Sequence, residues 1–495
     1  GSAEQIITQY NGDTAYPIAL RHDVLNQIPS LNSKYETYED YQGQTIEDMF
    51  EPNLLSRSVV QEVEMLSTVV VLNNGPAGAE VKPLPQVVQL SPVYAIAIDD
   101  YNGDGYADIV VGMPNQGSPG EENVGGAFLW LGSSSGLATD LVSNFDYVGA
   151  APDISHISTT AGVMQGKSVA LGGDINGDGF SDVLIGSLFG TQSINSQSSQ
   201  ASVEILLGKA ELPSKQPNWT DVGGDFDDRL GSSVKTAGDV NGDGYADVII
   251  GVPARDRVGL PGHGRVHVYY GSEFGISDNP DWICDGVRSQ GELGHAVDSA
   301  GDVNGDGYDD VIIGEIRYGS LSGEQPNLIG AGRAVVFFGS SNGLKVVEPT
   351  PEPNEAHATS DDADWFVVGH ESSMYVGSSV AGAGDINGDG YDEVMVQSAA
   401  SGDVYLFHGS PNGLKTASDN SSGINSITTA EPDWFYNGSL QSPLDCNCIS
   451  AAGDVNRDGY GDILIGEPLI IVAEKERAGI AHSFYGCLLY TSPSP

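Results

Sequence analysis

A nine-residue stretch rich in oxygen-bearing side chains occurs six times in this chain and limits what it can fold into. The third copy runs from Asp239 to Asp247, with Asp, Asn, Asp and Asp at positions 1, 3, 5 and 9 and Gly at position 6. Alternating oxygen donors in a tight loop suit Ca²⁺, which takes about six to eight oxygen ligands. Gly244 supplies the positive φ that such a turn needs. Mg²⁺ fits less well, because it prefers a strict octahedron and keeps several waters.

We number the copies loops 1 to 6; they span residues 100–108, 174–182, 239–247, 302–310, 385–393 and 454–462. Recurrence favours calcium binding over ordinary surface turns, and six loops would hold up to six Ca²⁺ ions. The expected ligands are the side chains at positions 1, 3, 5 and 9 and the backbone carbonyl at position 7. They are Asp100, Asn102, Asp104, Tyr106, Asp108, Asp174, Asn176, Asp178, Phe180, Asp182, Asp239, Asn241, Asp243, Tyr245, Asp247, Asp302, Asn304, Asp306, Tyr308, Asp310, Asp385, Asn387, Asp389, Tyr391, Glu393, Asp454, Asn456, Asp458, Tyr460 and Asp462.

The residues that follow each loop exclude a helix–loop–helix calcium site. That site needs a Glu at position 12 and amphipathic helices on both sides, whereas position 12 of loop 3 is Ile250. The run from Asp247 to Gly251 is short, apolar and rich in Val and Ile, which predicts a buried strand. Each loop is therefore expected to join two strands.

Each loop belongs to a longer repeated unit. A strand enters the loop, a second strand leaves it, a third strand ends in a Gly-Ser turn, and a fourth strand carries an aromatic residue. Four short strands in every 60–80 residues or so predict the blades of an all-β propeller. The aromatic residues are expected to pack between blades; they are Phe145, Trp219, Trp282, Trp365 and Trp434.

The units resemble FG-GAP repeats, the calcium-binding blades of integrin alpha-subunit propellers. The Gly-x-Pro element of these repeats occurs at Gly112–Pro114, Gly251–Pro253 and Gly466–Pro468, and the Phe-Gly element is altered to Leu230-Gly231 and Leu293-Gly294, with Val376-Gly377 as a third variant. The resemblance covers roughly residues 92–486 and implies an extracellular propeller with a face that binds partners. The family also includes propellers attached to enzymes and lectin-like propellers.

The repeat pattern divides the chain into three parts. Residues 1–91 form an N-terminal extension, 92–486 six calcium-binding blades, and 487–495 a tail outside the pattern. A seven-bladed ring would need one more blade, expected from residues 50–92, where 68–72 and 59–63 are predicted strands. The resemblance also implies that a strand from residues 1–75 closes the ring beside residues 479–486.

The net charge of −48 excludes nucleic acid as a partner, because such a field repels phosphates. No apolar run approaches the roughly 20 residues of a membrane span. Asn-x-Ser/Thr sequons at Asn218, Asn420 and Asn437 fit a secreted glycoprotein. Cys284 is expected to be free and buried, and either Cys446 or Cys448 to be able to pair with Cys487.

We therefore expect an extracellular, non-enzymatic adhesion or protein-interaction module. A carbohydrate-binding or polysaccharide-processing propeller is the first alternative, and a subunit of a self-assembling extracellular filament or matrix is the second. Partners would be an extracellular protein or glycan. Loops 5 and 6 are expected to bind calcium more weakly, because Glu393 replaces Asp at position 9 and Arg457 replaces Gly at position 4.

Overall fold

The computed structural model describes residues 8–11, 14–17, 69–73, 79–83, 95–115, 124–133, 152–157, 163–188, 201–209, 217–223, 228–257, 259–319, 328–347, 357–415, 432–438, 448–455, 458–467 and 480–486. Contacts divide the chain into two compact units, Gly1–Met65 and Leu66–Pro495. The described part of the first unit is an antiparallel hairpin of β1 (Thr8–Asn11) and β2 (Thr14–Pro17).

The second unit begins with a hairpin of β3 (Val69–Asn73) and β4 (Ala79–Pro83) and continues with six antiparallel sheets, blades 1 to 6. Blade 1 contains β5 (Ala95–Asp99), β6 (Asp108–Gly112), β7 (Gly126–Trp130) and β8 (Ile154–Ile157). Blade 2 contains β9 (Gln165–Leu171), β10 (Val183–Ser187), β11 (Ser202–Leu206) and β12 (Trp219–Val222). Blade 3 contains β13 (Val234–Gly238), β14 (Asp247–Val252), β15 (Arg265–Tyr269) and β16 (Trp282–Asp285).

Blade 4 contains β17 (Leu293–Gly301), β18 (Asp310–Glu315), β19 (Arg333–Phe337) and β21 (Trp365–Val368). Blade 5 contains β22 (Val376–Gly384), β23 (Glu393–Ser398), β24 (Val404–Phe407) and β25 (Trp434–Tyr436), and the described part of blade 6 contains β26 (Cys448–Gly453), β27 (Asp462–Glu467) and β28 (Ile480–Phe484). β20 (His357–Thr359) comes from the β19–β21 connection and pairs in parallel with β16 of blade 3, and a 3₁₀ helix (Ser360–Asp362) follows it.

This arrangement is an all-β propeller of four-stranded antiparallel blades. The first strands of successive blades contact one another in series, from β5 through β9, β13, β17 and β22 to β26. Because neighbouring strands are antiparallel, the loops joining first to second strands lie at the same end of a blade as the turns joining third to fourth strands. The other connections lie at the opposite end, which we call the opposite face.

The blade count predicted from the sequence is wrong for the described residues, which form six blades rather than seven. Residues 50–92 were expected to supply the seventh blade, but their described part is the two-stranded hairpin β3–β4. The predicted strand at 68–72 is confirmed to within one residue as β3, while 59–63 lies outside the described residues.

The predicted closing strand is not among the described strands. β28 pairs with β27, and within residues 1–75 the described strands β1 and β3 pair with β2 and β4. The remainder of residues 1–75 lies outside the described part of the chain, as does the tail 487–495. Ile96 and Ile98 on β5 are exposed, whereas Val297 of blade 4, equivalent in register to Ile96, is buried against blade 3.

The prediction that the recurring aromatic residues pack between blades is confirmed. Trp282 and Trp365 are fully buried and meet Phe337 and Phe407 of the next blade edge to face, with ring centroids 5.0 and 4.9 Å apart. The Nε1 atom of Trp365 also donates a hydrogen bond to the Lys415 carbonyl at 3.1 Å. Phe145 lies outside the described residues.

Substitutions of Trp365 test this packing. Trp365→Ala should lower the free energy of unfolding by about 3–5 kcal/mol, because it removes a buried aromatic side chain at a blade boundary. Trp365→Phe should cost less, since a ring remains although the Nε1 hydrogen bond is lost. Urea unfolding measures both, and Phe274→Ala, at a side chain 88% exposed, should change stability by less than about 0.5 kcal/mol. Equal values for Trp365→Ala and Phe274→Ala would contradict the packing.

Candidate cation-binding loops

All six loops connect the first strand of a blade to the second, so they lie at one end of the propeller. The five complete loops run from Asp100 to Asp108, Asp174 to Asp182, Asp239 to Asp247, Asp302 to Asp310 and Asp385 to Glu393, while loop 6 lacks Asn456 and Arg457 among the described residues. The expected ligands of each described loop therefore lie on one connection of one blade, and ligands of different loops remain in separate blades.

The carboxylate at position 1 organises the backbone of each loop. In loop 3, Oδ1 of Asp239 accepts hydrogen bonds from the amides of Gly242 and Asp243 at 2.7 and 3.0 Å, and Oδ2 accepts one from Gly244 at 2.8 Å. The Asn241 Oδ1 atom accepts a further bond from Asp243 at 2.9 Å. Equivalent bonds to position 1 recur in loops 1, 2, 4, 5 and 6, so the fold of the loop follows from its sequence.

The carboxylate at position 9 is buried at the base of each loop. In loop 3, Asp247 accepts hydrogen bonds from Val240 at 3.0 Å and from Gly271 at 2.8 Å. Burial raises the pKa of Asp247 to about 7; the two amide bonds oppose the shift, and the carboxylates of Asp243 and Asp239 add to it. A cation placed among these three carboxylates would offset the same repulsion.

Loop 5 differs from the others around position 9. Glu393 accepts from Ile386 at 2.8 Å and, through Oε1, from the side-chain amide of Asn387 at 2.9 Å. The His408 Nδ1 atom lies 3.2 Å from the same Oε1 atom. In loop 3 the corresponding Asn241 amide instead donates to Asp243 Oδ2 at 3.0 Å. The sequence analysis missed His408, which occupies the position just before the Gly-Ser turn and has no neighbouring signal that marks it.

The donor set fits a hard cation, although the carboxylates do not converge on one point. Within the described ranges, no three His, Cys, Asp or Glu side chains form a group ready to hold a metal. Every expected side-chain ligand is an oxygen donor, and the position-5 carboxylates are exposed while most position-1 carboxylates are half-buried. Such oxygen-only sets suit Ca²⁺ rather than Zn²⁺ or Cu²⁺.

Neighbouring loops are packed together through the glycine at position 4. A Cβ at Gly242 would lie 2.5 Å from Cε1 of Tyr308, the position-7 residue of the next loop. The same relation joins Gly177 to Tyr245 and Gly305 to Tyr391. Position 6 is different, because a Cβ at Gly244 or Gly307 would meet no atom within 4 Å. The glycine at position 4 is thus needed because a side chain there would overlap the ring from the next blade. The glycine at position 6 is needed because of its positive φ.

The opposite face concentrates arginine–carboxylate pairs in an otherwise acidic chain. Arg265 holds Asp285 through two hydrogen bonds of 2.6 and 3.1 Å, and buried Arg333 donates to Glu315 at 2.7 Å while its guanidinium carbon lies 3.8 Å from the Tyr318 ring centroid. Burial raises the pKa of Glu315, although Arg333 opposes the shift. Each pair joins two strands of one blade, Arg265 and Asp285 in blade 3 and Arg333 and Glu315 in blade 4.

Several other sequence expectations can be placed in the structure. Cys284 is free and buried, as predicted, while Cys448 is free and exposed; Cys446 and Cys487 lie outside the described residues. Asn218 and Asn437 are exposed, which leaves their glycosylation a prediction, and Asn420 lies outside the described part of the chain. None of the described residues forms a helix with the length and hydropathy that crossing a membrane requires.

The fold and loops define a class, that of repeat-built β-propellers with acidic loops at one end of every blade. The FG-GAP repeat model matches residues 92–130, 166–203, 231–269 and 294–322, so the chain contains FG-GAP repeats and the recognition made from the sequence is confirmed. These matches cover the first and second strands of blades 1 to 4, together with the intervening loops.

Integrin alpha subunits are among the similar proteins. Integrin alpha pat-2 of Caenorhabditis elegans is 30% identical over 244 residues, which are 46% of this chain and 18% of the relative. Integrin alpha-8 of Homo sapiens is 27% identical over 245 residues, which are 46% of this chain and 20% of the relative. The matched region thus spans about a fifth of the length of these relatives. The chain is thus similar to integrin alpha subunits, and four of its blades match the FG-GAP repeat.

Two solved structures of rhamnogalacturonan lyases, one of them exotype, also resemble the chain. Both show 13% identity and a TM-score of 0.34 over 82% of this chain, and the match covers 56% and 60% of the lyases. At that TM-score the likeness carries no argument about the activity of this chain. The prediction that the chain is not an enzyme is corrected: lyases are among the structures found, and the propeller fold alone does not decide whether this chain has an activity.

Two glycine substitutions in loop 4 separate the requirements of positions 4 and 6. Gly305 and Gly307 both have positive φ, so Gly307→Ala should cost about 1–2 kcal/mol through backbone strain alone. Gly305→Ala should cost about 1–3 kcal/mol more, because the new Cβ would overlap the Tyr391 ring. Urea unfolding in chelator measures both without any contribution from bound ions. Equal losses would contradict the packing, and Tyr391→Ala should remove the difference.

Proposed function

We propose that this chain is a calcium-binding extracellular β-propeller that acts as an adhesion or protein-interaction module. One observation carries the proposal: the same amide-supported arrangement of oxygen donors recurs at the same end of each blade. It recurs within FG-GAP repeats, and integrin alpha subunits are among the relatives of the chain. A scaffold with this many equivalent sites suits a structural use of the ion.

In this proposal, the side chains at positions 1, 3, 5 and 9 and the carbonyl at position 7 hold one Ca²⁺ in each loop. The ion would supply positive charge that offsets the repulsion among three carboxylates. Loop 3 illustrates the roles of the chain itself: Asp239 fixes the turn through its amide bonds, and buried Asp247 ties the loop to the Gly271 turn. Calcium would stabilise the end of the propeller that carries the loops.

An extracellular location follows from the proposed affinity and from the charge. Extracellular calcium modules bind with dissociation constants of about 10⁻⁴–10⁻³ M, too weak for the low free calcium of cytosol. A net charge of −48 keeps such a protein soluble and lets cations screen it. Exposed sequons at Asn218 and Asn437 agree with this location.

We place the partner surface on the opposite face. Its connections are free of the calcium loops, and exposed Arg229 and Arg317 stand out in an acidic chain, with Arg317 lying 3.4 Å from Glu292. Positive side chains at a rim guide an acidic protein or glycan towards the surface. The ions would then stabilise one end of each blade while the other end makes the contact.

Removal of calcium should lower the melting temperature. A ligand that binds only the native state adds RT ln(1 + [L]/Kd), about 2.7 kcal/mol for each site at 100 times Kd. Differential scanning calorimetry in chelator, calcium and magnesium measures this, with calcium expected to stabilise most. Asp306→Ala in loop 4 should remove more of the calcium effect than Asp389→Ala in loop 5, which is expected to bind more weakly. An unchanged melting temperature in chelator would contradict the proposal.

Binding to arrays of extracellular-matrix proteins and of glycans, with and without calcium, tests the partner. We expect binding to depend on calcium. The double substitution Arg229→Ser plus Arg317→Ser should weaken it by about tenfold, because two positive side chains are lost from the proposed contact surface. The control is Phe274→Ser, at an exposed side chain on the calcium end. Glycan binding alone would favour the lectin alternative, and calcium-dependent self-assembly in light scattering would favour the filament. A greater effect of Phe274→Ser would place the contact on the calcium end.

A further inference from the structure

The residue just before each loop is called position 0, and at loops 3 and 4 it borders the next blade. In loops 3 and 4, position 0 is Gly238 or Gly301, with φ of 78° or 70°. A Cβ on either glycine would overlap the carboxylate of Asp309 or Asp392, which is the position-8 residue of the following loop. The missing side chain therefore makes the space that a neighbouring carboxylate fills.

The two carboxylates complete a two-point contact between adjacent loops. Oδ2 of Asp309 accepts a hydrogen bond from the Asp239 amide at 2.7 Å, and the Asp309 amide donates to the Asp239 carbonyl at 3.1 Å. Asp392 makes the same pair of contacts with Asp302, at 2.9 and 3.1 Å. In each case the partner is position 1 of the previous loop, the residue that organises that loop.

The other loop boundaries lack this carboxylate. Between loops 2 and 3 the amide of Ala246 donates to Asp174 at 3.0 Å, and between loops 5 and 6 that of Gly461 donates to Asp385 at 3.0 Å, but neither side chain can accept a bond in return. Between loops 1 and 2 the Ser181 hydroxyl donates to Asp99 at position 0, at 2.8 Å. The two-point contact therefore distinguishes loops 3, 4 and 5 from the rest.

We infer that Asp309 and Asp392 are positioning residues that couple cation binding among loops 3, 4 and 5. The inference rests on the proposed calcium function. Asp309 directly precedes Asp310, the position-9 ligand of loop 4, and holds both backbone polar groups of Asp239, the first ligand of loop 3. A cation that fixes Asp310 in loop 4 thereby also orders Asp239, so loop 3 pays less conformational entropy when it binds its own ion. The coupling is reciprocal between the two loops.

Hydrogen exchange at buffered calcium concentrations measures a binding midpoint for each loop separately. Asp306→Ala disables loop 4 and should raise the midpoint of loop 3 about fivefold, within the usual range of coupling between sites. The matched variant Asp243→Ala disables loop 3, and the midpoint of loop 2 should change by less than about twofold, because Ala246 stands at that boundary. Both substituted carboxylates are exposed, so both variants should fold.

A second background identifies the residue responsible. In a protein that carries Asp309→Ala, Asp306→Ala should no longer shift the calcium midpoint of loop 3. In a protein that carries Asp309→Asn the shift should remain, because the Asn oxygen can still accept a hydrogen bond from the Asp239 amide. Asp278→Ala, at an exposed carboxylate of blade 3, controls for lost charge. Equal shifts of loops 2 and 3, or an unchanged coupling in Asp309→Ala, would overturn the inference and leave calcium binding intact. No calcium-dependent protection in any loop would instead overturn the proposed function and, with it, the coupling.

Discussion

The close approach of neighbouring blades is the constraint on which this propeller depends. A Cβ at Gly251 of blade 3 or Gly314 of blade 4 would overlap the carbonyl of Gly294 or Gly377 in the following blade. These glycines stand where the second strand of one blade meets the first strand of the next. Side chains there would separate the blades and prevent the burial of the Val- and Ile-rich second strands, whose residues in β14 and β18 are all buried.

Neighbouring blades also approach closely at the loops, at one end of each blade. A turn held by its own position-1 carboxylate presents exposed oxygen donors, and the glycine at position 4 lets a ring from the next blade lie against it. The features that suit the loop for a cation are therefore also features that join blades. The proposed binding of an ion and the packing between blades therefore involve the same loops.

Much of this architecture follows from local sequence. The apolar run after Asp247 predicted a strand because it is short and β-branched. The recurring tryptophans predicted packing between blades because repeats 2 to 5 each place one on the fourth strand. Contacts between blades were harder to foresee. Asp309 contacts Asp239, which lies 70 residues earlier in the chain. His408 contacts Glu393 from the position just before the Gly-Ser turn, where every sister repeat has a different residue type. Neither pairing has a signal within its own repeat. The blade count was overestimated for the described residues because a strand pattern in residues 50–92 does not reveal how many strands will pair.

Each blade boundary joins unlike surfaces: one blade contributes the glycines, and the next contributes a phenylalanine or tyrosine ring and, at two boundaries, the carboxylate. Such contacts are heterologous, that is, head-to-tail, and they do not specify how many blades the propeller contains. Whether such a series closes into a ring depends on the rotation from one blade to the next. A small change in that rotation would therefore alter the number of blades needed for closure while leaving each individual boundary almost unchanged.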